Sequence, residues 1–122
     1  MRLLTLLFSL VLIAGCASNA PSRHLNDAYQ AYERGDCGAV IYQLSQAERT
    51  GRSRPYLQPE ISLLRGLCLE RQGLYLDAIQ IYRHLLRYSP TSEYAYRAGA
   101  RLETLRQLGH YDPEHPLAPE RR

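Results

Sequence analysis

Three kinds of side chain in this 122-residue sequence could do chemistry: the thiols of Cys16, Cys37 and Cys68, the imidazoles of His24, His84, His110 and His115, and the guanidinium groups of its arginines. A thiolate can attack an electrophile, hold a soft metal or close a disulfide, but there is no Cys-x-x-Cys pair to support dithiol exchange. The histidines are scattered. There is no His-Glu-x-x-His run and no glycine-rich phosphate loop. His110, Asp112 and His115 have a loose metal-ligand spacing, yet they stand among prolines where solvated tail charges are the simpler reading. No nucleophile is paired with a base. The residues therefore predict a protein that is not an enzyme, with no resident metal or cofactor and no small-molecule substrate.

The charge balance narrows the partners. The net charge is +3, falling to +2 without Arg2, and the basic residues are spread along the chain, so nucleic acid is not an expected ligand. All 15 basic residues are arginine, and a planar fork suits carboxylates. Phe8 is the only phenylalanine, and there are ten tyrosines. A tyrosine ring packs well but its hydroxyl still needs a partner or water, which suits half-wet helix interfaces.

The elements that must position these groups are helices. Leu25, Ala28, Tyr29 and Tyr32 recur at helical spacing and stop at Gly35; Val40, Ile41, Leu44 and Ala47 stop at Gly51. Gly51–Pro55 reads as a loop, and Pro59 with Glu60 reads as a helix start. Ile61, Leu64, Leu67 and Cys68 form a third stripe closed by Gly73. Tyr75, Ala78, Ile79, Tyr82, Leu85 and Leu86 form a fourth. Ser89–Ser92 breaks the chain and offers a hydroxyl cap for a fifth, made of Ala95, Ala98, Leu102, Leu105 and Leu108. Residues 110–122, with Pro113, Pro116 and Pro119, read as a disordered tail.

The first sixteen residues have a different grammar. Met1–Arg2 precede an apolar run from Leu3 to Ala14 of about 12 residues, too short for a spanning helix of about 20. The segment Leu12–Ile13–Ala14–Gly15–Cys16 resembles the lipobox of bacterial lipoproteins, with Ile13 where leucine is usual. The resemblance implies a signal peptide over 1–15, a diacylglyceryl group on the Cys16 thiol, and a fatty acyl chain such as palmitate on the new amine. Ala17 in place of aspartate resembles the pattern sorted to the outer membrane, facing the periplasm, rather than kept at the inner membrane. Residues 16–22 would be a short tether, Ala17 to Ser22 spanning about 20 Å when extended.

Pro59 to Ser92 spans 34 residues, the length of a tetratricopeptide repeat. Gly66, Gly73, Tyr75, Ala78, Tyr82 and Pro90 fall on that family's landmarks, so the stretch resembles it, although Ser62, Arg65, Leu69 and Leu85 depart from the usual residues. Aligning Gly35 with Gly73 gives a degenerate copy upstream, with Ala28 at the position of Gly66 and Leu44 at that of Tyr82. A third copy starts at Glu93, with Tyr96 and Ala100 at the large-aromatic and small positions, and has only its first helix. The implied fold is all-α: antiparallel hairpins stacked as a short right-handed solenoid over 23–109, two repeats and a capping helix.

The resemblance also implies a groove for a peptide or partner helix, lined by Tyr29, Tyr32, Leu63, Leu67, Glu70, Arg71, Arg97 and Arg101. The arginine end is expected to take a carboxylate and the tyrosine–leucine end apolar side chains. The alternative for the tyrosines is core packing, and for Arg97 and Arg101 a solvated helix face. Export would leave Cys37 and Cys68 in an oxidising compartment, and an up-down-up stack would bring both toward one end. A disulfide there closes a loop of about 30 residues and contributes roughly 3 kcal/mol; the alternative is two buried thiols. The function implied is an envelope interaction module, tethered to the membrane by its lipid and holding a protein or peptide partner. A narrower version is a pilot that escorts an outer-membrane protein such as a secretin, and a different class is a structural lipoprotein that self-associates.

Overall fold

The computed structural model describes residues 19–114. Cys16, the leader expected over 1–15 and residues 115–122 lie outside them. Among the described residues there are five α-helices, one 3-10 turn and no strand: α1 (Ala20–Glu33), α2 (Cys37–Thr50), the turn Pro55–Leu57, α3 (Gln58–Arg71), α4 (Tyr75–Tyr88) and α5 (Glu93–Gln107). None of these helices is long and apolar enough to cross a membrane. The chain forms two compact units that meet within α3, one up to Ile61 and one from Ser62.

In the first unit α1 and α2 form a hairpin. The end of α1 is set by Gly35 at φ +75°, a conformation that glycine adopts without a Cβ penalty. The Gly35 N–H donates to the Tyr32 carbonyl at 3.0 Å and the Asp36 N–H to the Ala31 carbonyl at 2.9 Å, which satisfies two carbonyls the helix would leave orphaned. The Asp36 carboxylate then accepts from the Ala39 N–H at 3.0 Å and starts α2. Leu25, Ala28 and Ala31 on α1 and Val40, Leu44 and Ala47 on α2 are buried. The small Ala28 and Ala47 let the two helices lie close, with Leu44 filling the interface. At the open end of the hairpin Gly51 is buried so tightly that a Cβ on it would stand 2.7 Å from the Ala47 carbonyl oxygen and 3.2 Å from the Pro21 Cβ.

The second unit repeats this plan. Gly73 sits at φ +77°, its N–H donates to the Glu70 carbonyl and the Leu74 N–H to the Leu69 carbonyl, both at 2.9 Å. Its core is Leu63, Ala78, Ile79, Tyr82, Leu85, Ala98, Leu102 and Leu105. Gly66 faces the Tyr82 ring directly. Ser92, in the stretch expected to cap, accepts from the Ala95 N–H at 3.0 Å. A shift of 38 carries all four boundaries of the first hairpin onto the second: Ala20 to Gln58, Glu33 to Arg71, Cys37 to Tyr75 and Thr50 to Tyr88.

Several details differ from the sequence reading. The first helix begins at Ala20, inside the stretch read as tether, because Pro21 occupies its first turn and is buried. The third begins at Gln58 rather than Pro59, led in by the 3-10 turn. Tyr96 and Ala100 on α5 are exposed, while Ala95 and Ala98 are buried, because α5 packs on α4 through that other face. At the head of the expected tail, the His110 N–H donates to the Leu105 carbonyl at 2.8 Å, the His110 ring stacks on Tyr75 at 3.8 Å, and Tyr111 packs on the core. Two aromatic rings are reason enough for the chain to stay down there.

Candidate functional site

The expected groove residues fall into the two units and are described unit by unit. On α1 Tyr29 and Tyr32 are half-buried, and the Tyr29 hydroxyl donates to the Glu60 carboxylate at 2.8 Å. Both are thus neither core nor fully exposed, a position between the two readings of the sequence.

In the second unit, Leu63 on α3 is 2 % exposed and belongs to the core, so its side chain does not line a ligand surface. The cause is spacing. Leu63 lies three residues before Gly66, on the face of α3 that receives α4. Leu67 is half-buried against the same core, and Arg71 and Arg97 are exposed.

Glu70 and Arg101 meet each other. The Arg101 Nε donates to Glu70 Oε2 at 3.1 Å and its Nη2 donates to Oε1, a two-pronged pair; the Tyr82 hydroxyl donates to Oε2 at 2.8 Å. One carboxylate therefore ties α3, α4 and α5 together. Its side chain is 12 % exposed and that of Arg101 38 %, so the pair is partly shielded from water and stronger than a surface pair. The carboxylate-binding role expected of Arg101 is filled from within the chain. Sequence reasoning placed Glu70 and Arg101 in the groove separately and missed that they pair. The available signal was Tyr82, a core tyrosine whose hydroxyl had to find an acceptor.

Glu70→Gln keeps the shape and removes the charge. We expect it to cost about 1–2 kcal/mol, since a hydrogen bond to a charged group contributes about 1.5–3 kcal/mol and Arg101 keeps partial access to water. Urea unfolding of the variant beside Tyr82→Phe measures it; a loss under about 0.5 kcal/mol for both would mean that the three-helix tie adds nothing.

Farther along α5, Glu103 accepts from the Arg106 guanidinium at 2.8 and 2.6 Å and from the Gln107 amide at 3.0 Å. These hydrogen bonds, Arg106 first, hold its carboxyl at about 2, below the ordinary 4.5. A lowered folded-state value stabilises the fold above the unfolded value, and that contribution is lost as pH falls from about 4.5 through about 2. Because both side chains are about half exposed to water, the effect on stability is small. The direct readout is the Glu103 side-chain NMR titration, expected to have its midpoint near 2 and to move up toward 4.5 in Arg106→Gln.

The disulfide expected between Cys37 and Cys68 is present. Among the described residues no three His, Cys, Asp or Glu side chains are grouped to hold a metal ion. No protein-family model matches the sequence, and comparison with curated proteins and with solved structures finds no match.

Proposed function

We propose that this chain is a lipid-anchored interaction module of the bacterial envelope that holds a protein or peptide partner and catalyses nothing. In this reading Cys16 carries the acyl groups, the domain sits at the periplasmic face of the outer membrane, and the helices stack as a short right-handed solenoid of tetratricopeptide type, two repeats closed by α5. The observation that carries it is the internal register. The same shift of 38 that relates the helix boundaries relates Gly35 to Gly73, Ala28 to Gly66 and Leu44 to Tyr82, so one hairpin design is used twice. Proteins built by repeating a hairpin without a catalytic cluster use their surface for binding.

Leu63 is core and Glu70 pairs with Arg101, so in this reading the partner meets the accessible parts of the other expected residues: the half-buried Tyr29, Tyr32 and Leu67 and the exposed Arg71 and Arg97. The test is site-specific photocrosslinking in intact cells from positions 29, 32 and 97, with position 42 on the exposed side of α2 as control. A discrete adduct from the first three and none from position 42 supports the reading. Equal labelling from all four, or none, refutes it. An adduct the size of a second copy favours the self-associating alternative.

A further inference from the structure

The open end of the first hairpin gathers charge that the sequence shows only as scattered residues. Arg23 lies two positions after Pro21 on α1. Arg49 lies two before Gly51, and Arg52 and Arg54 follow it. The Pro21–Gly51 contact brings all four to one end of the unit. Arg23, Arg49 and Arg52 are exposed and Arg54 half-exposed, and among the described residues none of the four is paired with a carboxylate. Beside Gly51 a recess of about 300 Å³ opens, lined by Arg52, Arg54, Leu57 and Gln58. Its only carboxylate, Glu48, already accepts from the Gln58 amide at 3.1 Å.

This inference rests on the lipid anchor proposed above. Residues 17–20 span at most about 14 Å, so an acylated Cys16 holds Pro21, and with it the four arginines, within reach of the bilayer surface. We propose that this arginine-rich end docks on anionic phospholipid headgroups, the forks of Arg52 and Arg54 taking phosphate oxygens, so that the anchored domain stands on the membrane in one orientation. A planar guanidinium binds phosphate in two-pronged fashion, and a juxtamembrane cation near an anionic surface increases partition by on the order of fivefold. Four together act as an orienting patch and not as an anchor.

The experiment uses the full-length protein with Ser53→Trp, a position in the exposed turn of a chain that otherwise has no tryptophan. The purified protein is placed in vesicles of phosphatidylcholine alone or with a quarter phosphatidylglycerol, each containing a dansyl headgroup lipid. Energy transfer from the introduced indole is expected to be several-fold higher in the anionic vesicles, and to fall to the neutral value in high salt and in Arg52→Gln/Arg54→Gln. Equal transfer in both vesicles from protein whose intact mass shows acylation overturns the headgroup contact and leaves the anchor standing. An intact mass without acyl groups on Cys16 removes the anchor, and this inference with it.

Discussion

Gly66→Ala is expected to destabilise the chain by about 3 kcal/mol, at the upper end of what overpacking a core costs. A methyl at position 66 would lie 2.6 Å from the Tyr82 Cε1, with Cδ1 at 3.1 Å and Cζ at 3.2 Å. The ring cannot step aside. Tyr82 is fully buried, and its hydroxyl is held at 2.8 Å by the Glu70 carboxylate that also grips Arg101. To admit the methyl, either α3 and α4 separate or the tie among three helices breaks. The other hairpin shows how the conflict is avoided: at the same positions it has Ala28 and Leu44, a larger small residue facing a smaller large one. The double variant Gly66→Ala/Tyr82→Leu should therefore be less damaged than its two single variants sum to, by at least about 1 kcal/mol. Urea denaturation of the four proteins in the cycle gives the answer. Strict additivity would show that the two positions do not share one space.

Loss of the disulfide should have a comparable effect. With Cys37 and Cys68 both replaced by serine, the unfolded chain regains the freedom of a loop of about 30 residues, equivalent to about 3 kcal/mol. For a domain of this size that lowers the melting temperature by roughly 15 °C. The sulfurs are also core atoms, with Cys68 fully buried, and a serine hydroxyl there adds a desolvation cost. The entropic part can be isolated by comparing the oxidised wild type with the same protein in reductant, where the side chains stay apolar. If reductant leaves the melting temperature within a few degrees, the crosslink does not restrain the unfolded chain as the loop length requires.

Much of the helical skeleton is legible in the sequence because it depends on short-range rules. Gly35 and Gly73 end helices wherever they stand, Ser92 and the apolar stripes act within a turn, and the 38-residue offset is visible from the glycines alone. What escaped depends on distance in sequence. Glu70 meets Arg101 across 31 residues, a pairing that periodicity cannot report. The four arginines at the open end of the first hairpin come from two helices and a loop, and gather only because Pro21 lands on Gly51. Leu63 was misjudged for a different reason: in a half-wet interface adjacent turns of one helix divide between core and surface, and the amino-acid type does not say which. His110 and Tyr111 were read from the prolines that follow them, when their own rings determine their placement.

The glycines at 35 and 73 have one more implication. Each holds a positive φ, and a Cβ built on it meets nothing within 4 Å. That backbone shape disfavours the L form of alanine and is native to its mirror image, so D-alanine would adopt it at both positions without backbone strain and reduce the freedom of the unfolded chain. Cys37 and Cys68 happen to divide the protein into fragments suited to chemical ligation, with position 35 in the first and position 73 in the last. The two hairpins could in this way be stiffened by chirality alone, leaving every side chain on their exposed faces as it is.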